Sequence, residues 1–195
     1  LWSDYIFYSP RKVAGVPDGG ILVGMSRDLP LFTPQPHTNW SFVSPALHRF
    51  ENPDEDWHAI YREVEEAMDV SSLGMSRLSL TILDHLDALH IQKTRRANFN
   101  YLKEQLGEYY LFKDQEGSDF VPFGFPMRHS KSASLCEALR KQRIYVPRHW
   151  PRLPSPAEKY ADEHKLAAEL MTLPCDQRYG LKDMAFMVDT IRKHI

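Results

Sequence analysis

The first residue of this chain whose type and place could do chemistry is Lys12. It follows an apolar run, Tyr5-Ile6-Phe7-Tyr8, and precedes Asp18-Gly19-Gly20 and a second apolar run. A lysine held between two strands and partly buried can lose its proton near neutral pH, and the neutral amine is a nucleophile. A neighbouring cation pushes the pKa the same way, and Arg11 adjoins Lys12. Arg11 turned into solvent or paired with an acid is an equal reading. A lone lysine after a strand is far more often solvated than reactive, so the signal is the whole run.

Ser76, Arg77 and Ser79 stand where a helix begins. Free backbone N–H groups at such an end bind phosphate, or Ser76 simply caps the helix; both readings stand. Asp84, His85, Asp87 and His90 have the residue types of a metal site. Acids and histidines interleaved with leucines are usually a solvated helix face, and no metal is expected. Cys136 and Cys175 show no CxxC and no partner base, so both read as reduced core residues.

The elements that must position these residues are short. Tyr5 to Tyr8 reads as a buried strand ending at Ser9-Pro10, and Gly20 to Val23 as a second strand. Asp18-Gly19 between them is a tight-turn signal, with the glycines fixing the strand pair that aims Lys12. Residues 28–53 read as irregular, with a short helix near Pro45 to Phe50. Asn52-Pro53-Asp54-Glu55 reads as a helix start, followed by Trp57, Ile60, Val64 and Met68 at helical spacing. Leu78, Ile82, Leu86 and Leu89 mark a further buried stripe. The pattern runs on to Leu106 before Gly107, as one long helix or two meeting at a bend.

After Phe112 the texture changes. Residues 120–127 read as a strand with two prolines, Ser132 to Gln142 as a helix, and residues 144–146 as a short strand. A proline-rich loop follows to Pro156. Lys165 to Glu169 reads as a helix, Leu170 to Leu173 as a strand, and Leu181 to His194 as a terminal helix. The alternation implies a small α/β domain from about residue 110 onward.

The bulk properties exclude several classes. With 195 residues, 43% hydrophobic and 26% charged, the chain can bury a sizeable core and is not disordered. A net charge of −2 makes no case for nucleic acid or an anionic membrane as partner. No apolar run is long enough to span a bilayer, and the first residues lack the pattern of a signal peptide. A cytoplasmic protein is expected. The chain opens on Leu1 and enters an apolar run within four residues, so a fragment or processed chain is expected rather than a natural start.

Lys12 followed at this distance by Asp18-Gly19-Gly20 resembles the DegT/DnrJ/StrS-type sugar aminotransferases, fold-type-I enzymes dependent on pyridoxal phosphate. Ser76-Arg77-Leu78-Ser79, the Arg95-Arg96-Ala97-Asn98-Phe99 run, residues 144–150 and Leu173-Pro174-Cys175-Asp176 are similar to later family segments, in the same order. The resemblance covers nearly the whole chain and corresponds to the C-terminal half of such an enzyme. It implies the end of a PLP-binding large domain over 1–70, a long helical connector over 71–110, and a small α/β domain over 111–195. It further implies that Lys12 forms the Schiff base with the cofactor and carries the proton during transamination. An amino group would pass from an amino acid such as glutamate to a keto, nucleotide-linked sugar, in a homodimer with shared active sites.

By the same resemblance Ser76 and Arg77 reach the cofactor phosphate of the partner subunit, and His149 faces substrate. The family often has an asparagine near Ser76, and none is present here. Phe7 stands where many members carry a phosphate-binding serine; either Ser9 takes its part or the phosphate is held otherwise. The family's acid facing the pyridine nitrogen lies upstream of the lysine, outside this chain. The alternative is a non-catalytic remnant of the same fold acting as a structural or interaction module. Lys12 argues against the family's dehydratases, which usually carry histidine there.

Overall fold

The computed structural model describes residues 4–24, 40–52, 56–67, 74–112 and 120–195. The chain divides into two compact units, Leu1–Leu86 and Asp87–Ile195.

In the first unit, strands β1 (Tyr5–Tyr8) and β2 (Ile21–Gly24) pair antiparallel, Tyr8 opposite Ile21. Their β-branched and aromatic residues suit a pleated surface. The strands are nevertheless not buried as their composition predicts: Phe7 is 84% and Leu22 64% exposed. A two-stranded ribbon has no second layer of its own to cover it.

Helix α1 (Trp40–Glu51) is longer than expected and carries Pro45 inside it, buried. Helix α2 (Trp57–Glu66) begins at Asp56, whose side chain accepts the Ala59 N–H at 3.1 Å. The expected start at residues 53–55, the first part of the 28–53 connection, and Met68 lie outside the described residues. Helix α3 (Arg77–Asp84) starts at Ser76 and stops at His85.

The second unit opens with α4 (Ala88–Leu106), capped by Asp87 through the His90 N–H at 2.9 Å. The helical stretch is therefore two helices. The stop at His85 and fresh cap at Asp87 reset the helical phase, so the stripe drawn through Leu78, Ile82, Leu86 and Leu89 is not a buried face. Leu89 is 77% exposed, and the buried side of α4 is Arg95, Asn98, Phe99, Leu102 and Leu106.

Strands β3 (Phe125–Arg128) and β4 (Leu170–Leu173) pair antiparallel, with α5 (Ser132–Lys141) and α6 (Ala161–Glu169) between them in sequence. Period-2 alternation turns Phe125, Met127, Met171 and Leu173 to one face, all fully buried. Against it lie Phe99, Leu102 and Leu106 of α4, Leu135 and Leu139 of α5, and Met184, Val188 and Ile191 of α7 (Leu181–Arg192). The sheet is short because its prolines limit pairing: β3 itself contains Pro126, opposite Thr172.

The expected strand at residues 144–146 does not form. Helix α5 ends in a Schellman motif: Ile144 N–H donates to Leu139 O and Arg143 N–H to Arg140 O, both at 2.9 Å. Arg143 takes φ 60° to make it. The segment beyond then meets the edge of β4 through Thr172 N–H to Pro147 O, 3.1 Å. One bond of this kind does not make a ladder. The chain is mixed helix and strand, and its described strands all pair antiparallel.

Candidate functional site

Lys12 lies in the first unit, on the connection from β1 to β2. Pro10 opens a 3-10 turn through Lys12, and its fixed φ suits that first position. The turn is closed by Lys12 N–H to Ser9 O, 3.2 Å, and Val13 N–H to Pro10 O, 2.9 Å. Ala14 and Val16 are then buried, anchoring the chain just past the lysine.

Asp18 anchors the far side. Its Oδ1 accepts from Ser79 Oγ at 2.6 Å, Ser76 Oγ at 3.0 Å and the Ser76 N–H at 3.1 Å. Ser76 Oγ in turn accepts the Ser79 N–H at 3.2 Å, the helix cap of α3. The positive end of α3 thus receives a carboxylate from its own chain, which both the helix dipole and the free N–H groups favour. Gly19 follows with φ 100°, and a Cβ there would stand 2.5 Å from the Met75 side chain. Asp18-Gly19 is therefore not a two-residue hairpin turn. It docks a long connection, residues 9–20, onto the start of α3.

Held this way, exposed Lys12 borders a cleft of about 860 Å³. Arg11, Arg49, Trp57, Tyr61 and Glu65 line it too, over apolar walls from α1, α2 and α3. Arg49 sits over the Trp57 ring, 4.8 Å from its centroid. Tyr61 donates to Glu65 Oε1 at 3.1 Å, one helical turn on. Burial pushes the Tyr61 phenol up, and Glu65 adds to that by bond and charge, while Arg11 pulls it down. Arg11 is thus felt at Tyr61. From the sequence alone, Arg49, Tyr61 and Glu65 are assigned to no site, and Trp57 only to a helical stripe. The spacing of Tyr61 and Glu65 by four on one helix was the available signal.

The other candidates fall as follows. Ser9 is half-buried at the head of the 3-10 turn and makes no side-chain cap. Ser76 is buried and engaged by Asp18 and Ser79; Arg77 is exposed on the first turn of α3. His149 belongs to the second unit, half-buried, its ring 5.8 Å from that of Trp150. Trp150 is 77% exposed with φ 52°. His85 binds Thr81 O at 2.8 Å and Asp87 caps α4, so these residues finish helices. Among the described residues no His, Cys, Asp and Glu side chains gather into a metal-binding group. Cys175 is fully buried, and burial raises its thiol pKa to about 12.

The residues of the first cleft fit pyridoxal phosphate. It needs a primary amine, positive charge for a phosphate and apolar surface for a ring, and Lys12, Arg11, Arg49 and the walls supply these. The volume lies within the roughly 300–1,000 Å³ of small-molecule sites. Among the described residues no helix is long and apolar enough to cross a membrane.

No family model matches the chain, and no curated protein does. Solved structures do. The sugar aminotransferase Spr1654 from Streptococcus pneumoniae, in its PMP form, matches with TM-score 0.50 at 14% identity over 73% of this chain and 46% of that one. A DegT DnrJ EryC1 StrS aminotransferase from Brucella abortus matches with TM-score 0.49 at 13% identity, covering 64% of this chain and 38% of that one. The sugar aminotransferase CalS13 from Micromonospora echinospora gives TM-score 0.44 at 14% identity, covering 71% and 46%. The chain spans less than half the length of each. At such identities the likeness is one of fold, and the Spr1654 match carries it.

Proposed function

We propose that this chain is the lysine-bearing, C-terminal part of a fold-type-I, PLP-dependent sugar aminotransferase, and that Lys12 is the residue that holds the cofactor. The supporting observation is that Lys12 sits on a turn anchored at both ends and opens on a cleft with two further cations. The fold shared with Spr1654 supports the same reading.

When bound, pyridoxal phosphate supplies an aldehyde that condenses with amines and a ring that draws electrons from the substrate bond being broken. The chain's own residues bind, position and move the proton. Nζ of Lys12, as a neutral amine, is the nucleophile, and once free it takes up and returns one proton. Arg11 and Arg49 place positive charge along the same cleft, which favours an anionic ligand. Ser9 is the polar group proposed for the phosphate, and Arg77 for the cofactor phosphate of the partner subunit. Ser76 acts through Asp18, as a positioning residue for the Lys12 connection. His149 is the proposed substrate contact, with an amino acid such as glutamate as donor and a nucleotide-linked keto sugar as acceptor.

A homodimer in the cytoplasm belongs to this proposal, as does the division into large-domain end, connector and small domain. The bare faces of β1 and β2 support a further covering surface, since isolated ribbons with exposed Phe7 and Leu22 are not stable alone.

The test is chemical trapping. The chain is mixed with pyridoxal phosphate, reduced with borohydride, digested and mapped by mass. The expected result is a pyridoxyl mass on the Lys12 peptide ahead of every other lysine, and its loss in Lys12→Ala. Labelling that ignores position 12 would sink the proposal.

A further inference from the structure

A second cavity, of about 490 Å³, lies in the second unit between α5 and the segment leading away from it. Cys136, Glu137 and Arg140 of α5 line one side, and Tyr145, Pro147 and Arg148 the other. Nothing in the Lys12 reading uses it.

Its charge is unbalanced. Glu137 meets Lys141 at 3.8 Å, one turn along the helix. Arg140 is exposed and has no ion-pair partner among the described residues. Arg148 is half-buried, and its Nη2 donates to Ala168 O at 2.9 Å. Its Nε is buried with no acceptor, the one such side-chain atom among the described residues. A guanidinium has five donors and no way to shed its charge. A buried donor left without an acceptor is costly, and a charged one more so. The backbone around Arg148 is also fixed, by the Schellman end of α5 and the Thr172–Pro147 bond. The charge is felt across the cavity: burial pushes the Cys136 thiol up, and Arg148 pulls against it.

We propose that this cavity is a binding site for the oxyanion of a small organic molecule, a phosphate or carboxylate held between Arg140 and Arg148. The arriving anion supplies the counter-charge both guanidiniums lack, and planar forks suit it better than point charges. Tyr145, 71% exposed at the rim, offers a flat surface to the rest of the ligand. Glu137 in the same wall repels anions, so a ligand seats toward the Arg148 side.

Calorimetric titration of the full chain tests this, with pyrophosphate and succinate as separate probes. Saturable binding of either that depends on Arg140 and Arg148 is expected, and which one binds tells a phosphate from a carboxylate ligand. Arg140→Gln and Arg148→Met are each expected to weaken it by about tenfold or more. Lys182→Gln, an exposed cation of α7, is expected to leave it unchanged. Circular dichroism checks that the variants fold; should Arg148→Met fail, exposed Arg140 still decides. No saturable binding of either probe overturns the proposal, as does binding indifferent to Arg140→Gln. The trapping of Lys12 reads a different residue in the other unit, so the two proposals succeed or fail separately.

Discussion

The Oγ of Ser79 donates to Oδ1 of Asp18 at 2.6 Å, joining residues 61 apart in sequence. With Ser76 donating twice to the same oxygen, one carboxylate closes the start of α3 and fixes the far end of the Lys12 connection. Asp18→Ala strands buried hydroxyls on Ser76 and Ser79. A loss of about 1–3 kcal/mol is expected in chemical denaturation. Asp18→Asn keeps an acceptor at Oδ1 and should lose less. Hydrogen exchange should quicken at amides 9–20 in the alanine variant. Equal stability of all three proteins would show that the contact carries nothing.

Gly19→Ala should destabilise the same connection by about 1–3 kcal/mol. Its φ of 100° is unsuited to a side chain, and the added Cβ meets Met75. Trimming the obstacle in a Gly19→Ala, Met75→Ala double variant should recover only part of the loss, because the backbone strain stays.

Arg143 offers the opposite case. It takes the left-handed position of a Schellman motif, where glycine is preferred. Arg143→Gly is expected to raise stability by about 1 kcal/mol. A lower thermal midpoint would show that the arginine side chain does more than occupy the turn.

The two thiols should differ in reactivity. Burial raises the Cys175 pKa to about 12, so at pH 8 almost none is thiolate, and the sulfur is covered. Cys136 is only half-buried. A disulfide reagent applied to the folded protein should label Cys136 and spare Cys175, with both labelled in denaturant. Rapid labelling of Cys175 in the native state would contradict its place in the core.

Asp176 sets an acid limit. Burial alone would raise its pKa, but bidentate Arg178, at 2.8 and 2.9 Å, outweighs this and holds it below the ordinary value. A depressed carboxylate stabilises the fold above the unfolded pKa of about 4, and this contribution is lost as pH falls through the folded value. The urea midpoint of wild type should fall more than that of Asp176→Asn between pH 6 and pH 3. Parallel falls would remove Asp176 from the account.

What the sequence disclosed follows from the range of the forces involved. Helices α5 and α7 and strand β4 are set by local periodicity and packing stripes, and their places were legible. So were the two strands that flank the Lys12-to-Gly20 run. The partner of Asp18 was not, because no local pattern links it to Ser76 and Ser79. The break at His85 was hidden because Leu78, Ile82, Leu86 and Leu89 keep helical phase across it. Residues 144–146 have strand composition, yet the end of α5 claims Ile144 first. Tyr61 and Glu65 joined the cleft through the packing of α1 and α2, which spacing alone does not predict.

Among the described residues, strands β1 and β2 form a two-stranded ribbon with greasy rings on view. Ribbons of this kind tend to zip onto extended peptides that they meet. Purified by itself at high concentration, this polypeptide should cloud and sediment on standing. Charged replacements at Phe7 and Leu22 should keep it clear while leaving the second unit's thermal unfolding where it was.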